Sequence, residues 1–270
     1  MINKKIGIIG CGNMGEALLS GLSKVLEKST SLVVSEPDSE RRGYIQERHK
    51  IIVEIDNNAV VKYSDVIIIA VKPKDFDNVL KNEICCGVSK NKLLISIAAG
   101  ITTKYIESIV GRDIPVIRVM PNMAAVIGEA VSSISAGSSA GAEHMAMAKK
   151  IFSLVGETVE IDESLVDAVT AVSGSGPAYF FYLIEALIEA GQKLGLDAET
   201  ANKLVLKTAL GSVKLLDELK EKPDDMRRKI TSKGGTTEAA LKVFEARMIK
   251  PIIHDAVKAA QERSKELSGR

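Results

Sequence analysis

Lys5-Ile6-Gly7-Ile8-Ile9-Gly10-Cys11-Gly12-Asn13-Met14-Gly15 joins a short β-branched run to the segment Glu16 to Leu26, which carries the apolar spacing of a helix. Gly10, Gly12 and Gly15 stand at the G-x-G-x-x-G spacing of a strand-turn-helix whose main chain can approach a pyrophosphate closely. The pattern alone says little, and a tight turn without a ligand also satisfies it. Its place after a strand, before a helix and inside a βαβ frame is what makes it a dinucleotide clamp. The first N–H groups of a helix lack intrahelical partners and carry the positive end of its dipole, so anions settle there.

Outward from this turn, Lys5 to Gly10, Ser31 to Ser35, Val66 to Val71, Leu93 to Ala98 and Ile114 to Val119 read as buried parallel strands separated by helical stretches. Ala130 to Ser135 and Thr158 to Ile161 add later strands at the edge. Such alternation implies right-handed crossovers and an α/β fold, a Rossmann-like doubly wound sheet with both faces covered. After about Asp162 the β-branched runs stop. Leu165 to Val172, Ala178 to Leu194, Ala198 to Leu219, Glu238 to Ala246 and Ile252 to Leu267 then show helical spacing, punctuated by Gly176-Pro177, Gly195, Pro223, Gly234-Gly235 and Pro251. The expected domains are 1–161, an NAD(P)-binding Rossmann domain, and 162–270, an all-α dimerisation and substrate-binding domain. Phe180 to Ala190 is apolar over most of its circumference, more than so small a domain can hide, so part of it should pack on another subunit.

Bulk composition narrows the function classes. The 270 residues carry 36 basic and 35 acidic side chains, a net charge of +1, so no global field favours nucleic acid or a membrane surface. The Lys222 to Lys233 patch is interrupted by Asp224 and Asp225 and reads as a solvated helical face. Cys11, Cys85 and Cys86 offer neither a metal pair nor a disulfide framework, which fits a reducing cytoplasm. No N-terminal signal pattern is found, and no segment approaches the ~18 apolar residues of a membrane span.

Other turns fall where ligands bind in open sheets. The second strand should end near Ser35-Glu36-Pro37-Asp38, facing the adenosine ribose. Glu36 there suits both ribose hydroxyls of NAD, while Arg41 and Arg42 close behind could neutralise a 2′-phosphate, so NADH and NADPH both stay open. Ala70-Val71-Lys72-Pro73 and Ser96-Ile97-Ala98-Ala99-Gly100 end two further strands at the same edge. Lys72 lines the cofactor groove or is a surface lysine; Asn57 caps a helix or reaches the ribose. A second polar turn, Ile230-Thr231-Ser232-Lys233-Gly234-Gly235-Thr236-Thr237, runs into a helical segment and makes a second anion clamp without any arginine. Two clamps suggest one for a cofactor and one for a substrate.

The glycine fingerprint, Ala70-Val71-Lys72-Pro73, Arg118-Val119-Met120-Pro121-Asn122, Gly174-Ser175-Gly176-Pro177-Ala178-Tyr179 and Ser232 to Thr237 follow one another in an order that resembles the pyrroline-5-carboxylate reductase family, from Lys5 to about Phe244. The last motif is the most specific. The resemblance implies NAD(P)H-dependent reduction of 1-pyrroline-5-carboxylate to L-proline by hydride transfer to the cyclic imine. It implies a homodimer as the minimum unit, with a decamer of five dimers as a larger assembly, and a site where one subunit's cofactor groove meets its partner's helical domain. By the same resemblance Ile9, Gly10, Cys11, Gly12, Asn13, Met14, Gly15, Ser35, Glu36, Asn57, Ala70, Val71, Lys72, Pro73 and Ala98 bind the cofactor. Met120, Ser175, Gly234, Gly235, Thr236 and Thr237 bind the substrate, and the Thr237 hydroxyl lies near the ring nitrogen. Three features depart from the family pattern: Lys233 replaces a proline and Met123-Ala124 replaces Thr-Pro, both expected to loosen loops near the substrate, and Glu36 replaces the serine of some relatives.

A protonated cyclic imine already has an electrophilic carbon, so alignment should dominate over acid–base chemistry. His49, His144 and His254 share no motif and are not expected to be catalytic, and no metal constellation is present in the sequence. Thr237 either hydrogen-bonds the developing amine or caps a helix; Gly174 to Tyr179 either closes over the nicotinamide or is simply a helix start. A β-hydroxyacid dehydrogenase would need a lysine between Pro177 and Gln192, where this chain has none. A non-catalytic dinucleotide sensor and a reductase of a six-membered cyclic imine are the other readings weighed.

Overall fold

The computed structural model describes residues 2–26 and 31–269. Among them β1 (Ile6–Ile9), β2 (Leu32–Ser35), β3 (Val53–Glu54), β4 (Val66–Ile69), β5 (Leu93–Ser96), β6 (Val116–Met120), β7 (Ala130–Ala136) and β8 (Gly156–Glu160) form one sheet in the order β3-β2-β1-β4-β5-β6-β7-β8. Neighbours run parallel except β6 and β7. All five expected parallel strands are present, and both later runs extend the edge. From β1 the chain builds β2 and β3 on one side and then crosses to β4 on the other. That reversal beside β1 is a topological switch point, where a crevice opens at the carboxyl ends of the strands.

The helices of this part are α1 (Asn13–Ser23), α2 (Ser39–His49), α3 (Asn57–Tyr63), α4 (Pro73–Val79), α5 (Thr103–Val110), α6 (Ala142–Phe152) and the short α7 (Val166–Val169). Alternate strand residues point to opposite faces. Thus Ile6, Ile8 and Ile68 join Leu18, Leu22, Ile45, Ile151 and Phe152 in one core, while Ile9, Ile67 and Ile69 join Val60, Phe76 and Ile106 in the other. Each such fully buried side chain stabilises the fold by about 1.5–3 kcal/mol. Gly7 lets α3 seat directly on β1, since a Cβ there would lie 2.5 Å from Val60 Cγ1.

By its contacts the chain divides into two compact units, Met1–Ser175 with Ala260–Arg270, and Gly176–Ala259. The second contains α8 (Gly176–Lys193), α9 (Ala198–Leu219), α10 (Pro223–Lys229), α11 (Thr236–Ala246) and the start of α12 (Ile249–Ser268). Gly195, at φ +98°, ends the connection out of α8, and Asp197 caps α9 by accepting from the Thr200 N–H at 2.9 Å. Ala201 is buried beside Gly191, where a Cβ would already lie 3.4 Å from it. Large apolar side chains of α8 stay exposed within the chain: Phe180 60%, Phe181 61% and Tyr182 76%.

Three sequence expectations change here. Pro251 reads as a break, yet it lies in the first turn of α12, where a missing N–H costs no hydrogen bond; Pro223 does mark a boundary, opening α10 after α9 has ended. Gly176-Pro177 does mark a boundary, opening α8 after the π turn at Thr170–Gly174 that follows α7. The resulting stretch Glu163–Lys193 is long and apolar enough, by length and composition, to cross a membrane, contrary to the sequence reading. Finally, the last turns of α12 belong to the first unit. Ser264 and Ser268 hydroxyls donate to Asp167 Oδ1 at 2.7 and 3.1 Å, and a Cβ on Gly100 would meet Leu267 O at 2.8 Å.

Candidate active site

The glycine turn occupies the switch point. Gly10 extends β1 with φ +88°, and a Cβ on it would lie 3.0 Å from both Ala70 O and Val71 Cγ1 at the end of β4. Gly15 packs on the turn itself, because a Cβ there would sit 2.3 Å from Gly10 O. Gly12 is different: nothing lies within 4 Å of the place its Cβ would take. The first intrahelical bond of α1 is Glu16 N–H to Gly12 O at 2.9 Å. Among the described residues the N–H groups of Gly12, Asn13, Met14 and Gly15 therefore have no acceptor. Open space beside bare amides at a positive helix end fits a pyrophosphate, and a dinucleotide cofactor suits this crevice.

A charged network closes the outer side of the turn. Glu36 follows β2 and is 9% exposed; its Oε2 accepts from the Cys11 N–H at 2.9 Å and its Oε1 from the Asp38 N–H at 3.1 Å. Arg41 donates through Nε to Cys11 O at 2.8 Å and through Nη2 to Glu16 at 2.5 Å. Arg48 and His49 also face Glu16, at 3.5 and 3.3 Å. Burial opposes the charged form of Glu16, yet hydrogen bonds from His49 and Arg41 and the charges of Arg41 and Arg48 hold its carboxyl below the usual carboxylate range. Burial pushes the Cys11 thiol up to about 12, with Arg41 opposing and Glu36 and Glu16 adding to the rise. That thiol stays protonated, so Cys11 serves the turn through its backbone.

The other expected cofactor positions share this edge. Ile9 accepts from the Ala70 N–H at 2.8 Å, and Gly10 donates to Ser35 O at 2.9 Å. Asn57 is not a cap. Asp56 caps α3, accepting from the Asn58 N–H, while Asn57 opens the helix, accepts from the Ser35 hydroxyl and donates to Glu83 Oε2 at 2.7 Å. Lys72 is exposed just before Pro73, which opens α4. Ala98 is buried, with its N–H 3.3 Å from Ser96 Oγ. Met120 ends β6 and packs on Gly174, where a Cβ would lie 2.9 Å from Met120 Cε; Ser175 follows, half-buried. Met123–Ile127 forms a 3-10 turn, with Met123 exposed and Ala125 buried in the core.

Arg118 stands in a motif quoted from the sequence, but its pairing has no sequence signal. Arg118, 3% exposed, donates from Nη1 to Glu163 Oε1 at 3.2 Å, and Glu163 also accepts the Thr103 N–H at 2.8 Å. The braces Glu16–Arg41 and Asn57–Glu83 are equally remote in sequence, and no local pattern announces them.

In the second unit, Ser232 to Gly235 form a turn closed by the Gly235 N–H to Ser232 O at 3.1 Å. Gly234, at φ +75°, takes the position that favours glycine, and Lys233 sits immediately before it. Gly235, not Thr237, is the cap residue of α11. The first intrahelical bond is Ala239 N–H to Gly235 O, so among the described residues Thr236, Thr237 and Glu238 N–H groups have no acceptor. The Gly234 N–H donates to Glu238 Oε2 at 2.8 Å. The Thr237 hydroxyl is free of any intrachain bond among the described residues, since the capping geometry passes it by.

Comparison with known proteins agrees with this geometry. A family model described as "Pyrroline-5-carboxylate reductase dimerisation" matches residues 163–267, and one described as "NADP oxidoreductase coenzyme F420-dependent" matches residues 5–100. A pyrroline-5-carboxylate reductase of Synechocystis is 41% identical, covering 97% of this chain and 98% of that protein. One from Methanosarcina acetivorans is 40% identical, covering 99% of each. Among solved structures, the pyrroline carboxylate reductase of Plasmodium falciparum with NADP bound superposes with a TM-score of 0.89 at 33% identity, covering 99% of both chains.

Proposed function

This chain belongs to the pyrroline-5-carboxylate reductase family, and from that premise we infer that it reduces 1-pyrroline-5-carboxylate to L-proline, the last step of proline biosynthesis, with NADPH or NADH as donor. The observation that carries the reading is the pair of helix starts with unpaired amides, one on α1 and one on α11, in a chain so similar to these reductases. Bound NAD(P)H supplies the hydride. The backbone of Gly12 to Gly15 holds the pyrophosphate, with Ile9, Gly10, Cys11, Ser35, Glu36, Asn57, Ala70, Val71, Lys72, Pro73 and Ala98 lining the rest of the groove. Thr236 and Thr237 amides hold the ring carboxylate, with Gly235 shaping the turn, and Met120 and Ser175 bound the ring. Thr237 offers its hydroxyl to the ring nitrogen as that nitrogen becomes an amine. Residues 1–161 serve the cofactor and 162–270 the partner subunit and substrate. The exposed aromatics of α8 support a homodimer as the working unit, and a decamer of five dimers is the larger assembly consistent with the family. The cytoplasm is its compartment, in keeping with three free cysteines.

Purified protein is expected to oxidise NADH or NADPH only when the five-membered imine is added, followed at the nicotinamide absorbance with the six-membered ring as comparison. Absence of turnover with every combination would overturn the reading. Thr237→Val, which keeps shape and loses the hydroxyl, is expected to lower kcat by about 10-fold to 100-fold, on the scale of one lost transition-state hydrogen bond, with the melting temperature unchanged. An unchanged rate would remove Thr237 from the site.

A further inference from the structure

Resting on the reductase reading above, we propose that Glu36 makes NADH the preferred donor of this enzyme and rejects the 2′-phosphate of NADPH. In a doubly wound sheet the residue at the tip of the second strand meets the adenosine ribose, and a carboxylate there accepts from its hydroxyls. Glu36 holds that place immediately after Ser35, the last residue of β2.

The carboxylate is fixed, not merely near. Its two oxygens accept from the Cys11 and Asp38 N–H groups at 2.9 and 3.1 Å, and at 9% exposure it cannot turn away without stranding the Cys11 N–H inside the glycine turn. Each oxygen keeps a further lone pair, so two hydroxyls can still be accepted. A phosphate at the same place would meet a negative charge that has nowhere to go.

The nearby cations already have partners of their own. Arg41 is held by Cys11 O and Glu16, and Arg48 by the Tyr44 hydroxyl and Glu16. Arg42 donates to Glu36 O and Pro37 O at 2.8 and 3.1 Å. Asp38 adds another carboxylate at the start of α2, accepting from the Arg41 N–H at 2.7 Å. Arg41 is already charge-paired with Glu16, so a 2′-phosphate brought to its remaining N–H groups would share that cation with a carboxylate.

The test is calorimetric titration of the full chain with NADH and NADPH, without imine, alongside kcat/KM for each. Wild-type protein is expected to bind NADH at least 10-fold more tightly. Glu36→Gln, which removes the charge and keeps the length, should narrow that ratio at least 10-fold, and Glu36→Ser provides a second variant should the first fold poorly. Equal or tighter binding of NADPH by the wild type, or an unchanged ratio in a folded variant, would overturn the proposal. Selective NADH binding without turnover of the imine would overturn the reductase reading alone and support this one. Binding of neither nucleotide would overturn both.

Discussion

Gly15→Ala is expected to weaken nucleotide binding by about 30-fold to 100-fold. The added Cβ would stand 2.3 Å from Gly10 O, a main-chain atom that cannot rotate aside, so α1 must move off β1. Such overpacking costs about 1–3 kcal/mol, and each 1.4 kcal/mol is about tenfold in affinity. The strain falls on the turn that presents the bare amides, so binding should suffer more than folding. Gly12→Ala makes the contrast: its Cβ has open space around it, so the apo fold should be indifferent, with the loss confined to the ligand whose approach it obstructs. Thermal melts with and without nucleotide, together with titrations, separate the two. Unaltered binding in both variants would mean that the turn does not receive the pyrophosphate.

The second large effect is expected on α8. Replacing Phe180 and Phe181 with aspartate should split the homo-oligomer, because these side chains are 60% and 61% exposed in the isolated chain and lie within the stretch matched by the dimerisation model. Burial of one such side chain contributes about 1.5–3 kcal/mol, so losing two weakens association by about 100-fold or more before any penalty for a desolvated charge. Light scattering on a sizing column reads the mass, and turnover should fall with it if the partner completes the site. Retention of size and rate would place the subunit interface elsewhere.

Where sequence spacing and tertiary packing ask the same thing of a residue, the chain was readable. The glycine turn, the five parallel strands and the polar turn before α11 all declare themselves locally, through φ requirements and apolar runs. β3 escaped because Val53–Glu54 is too short to show alternation. The cap of α3 was misplaced by one residue, since Asp56 and Asn57 both have capping chemistry and only backbone geometry chooses between them. Pro251 misled in the other direction, because the first turn of a helix accepts what its interior rejects. Glu36 was legible as the residue at the tip of β2, but its grip on the Cys11 N–H depends on how the end of β2 meets the turn. The Arg118–Glu163 pair and the return of α12 depend on contacts between distant segments and leave no local trace.

That return has a consequence for biogenesis. Asp167 and Gly100 receive the last turns of α12, residues that leave the ribosome only after everything between has been made. The nucleotide-binding half begins to fold during synthesis, as N-terminal segments do, but cannot fasten its final clasp until Ser264 to Ser268 have emerged. A nascent chain stalled before Ser264 would therefore present a nearly finished yet unlatched nucleotide domain to chaperones and proteases.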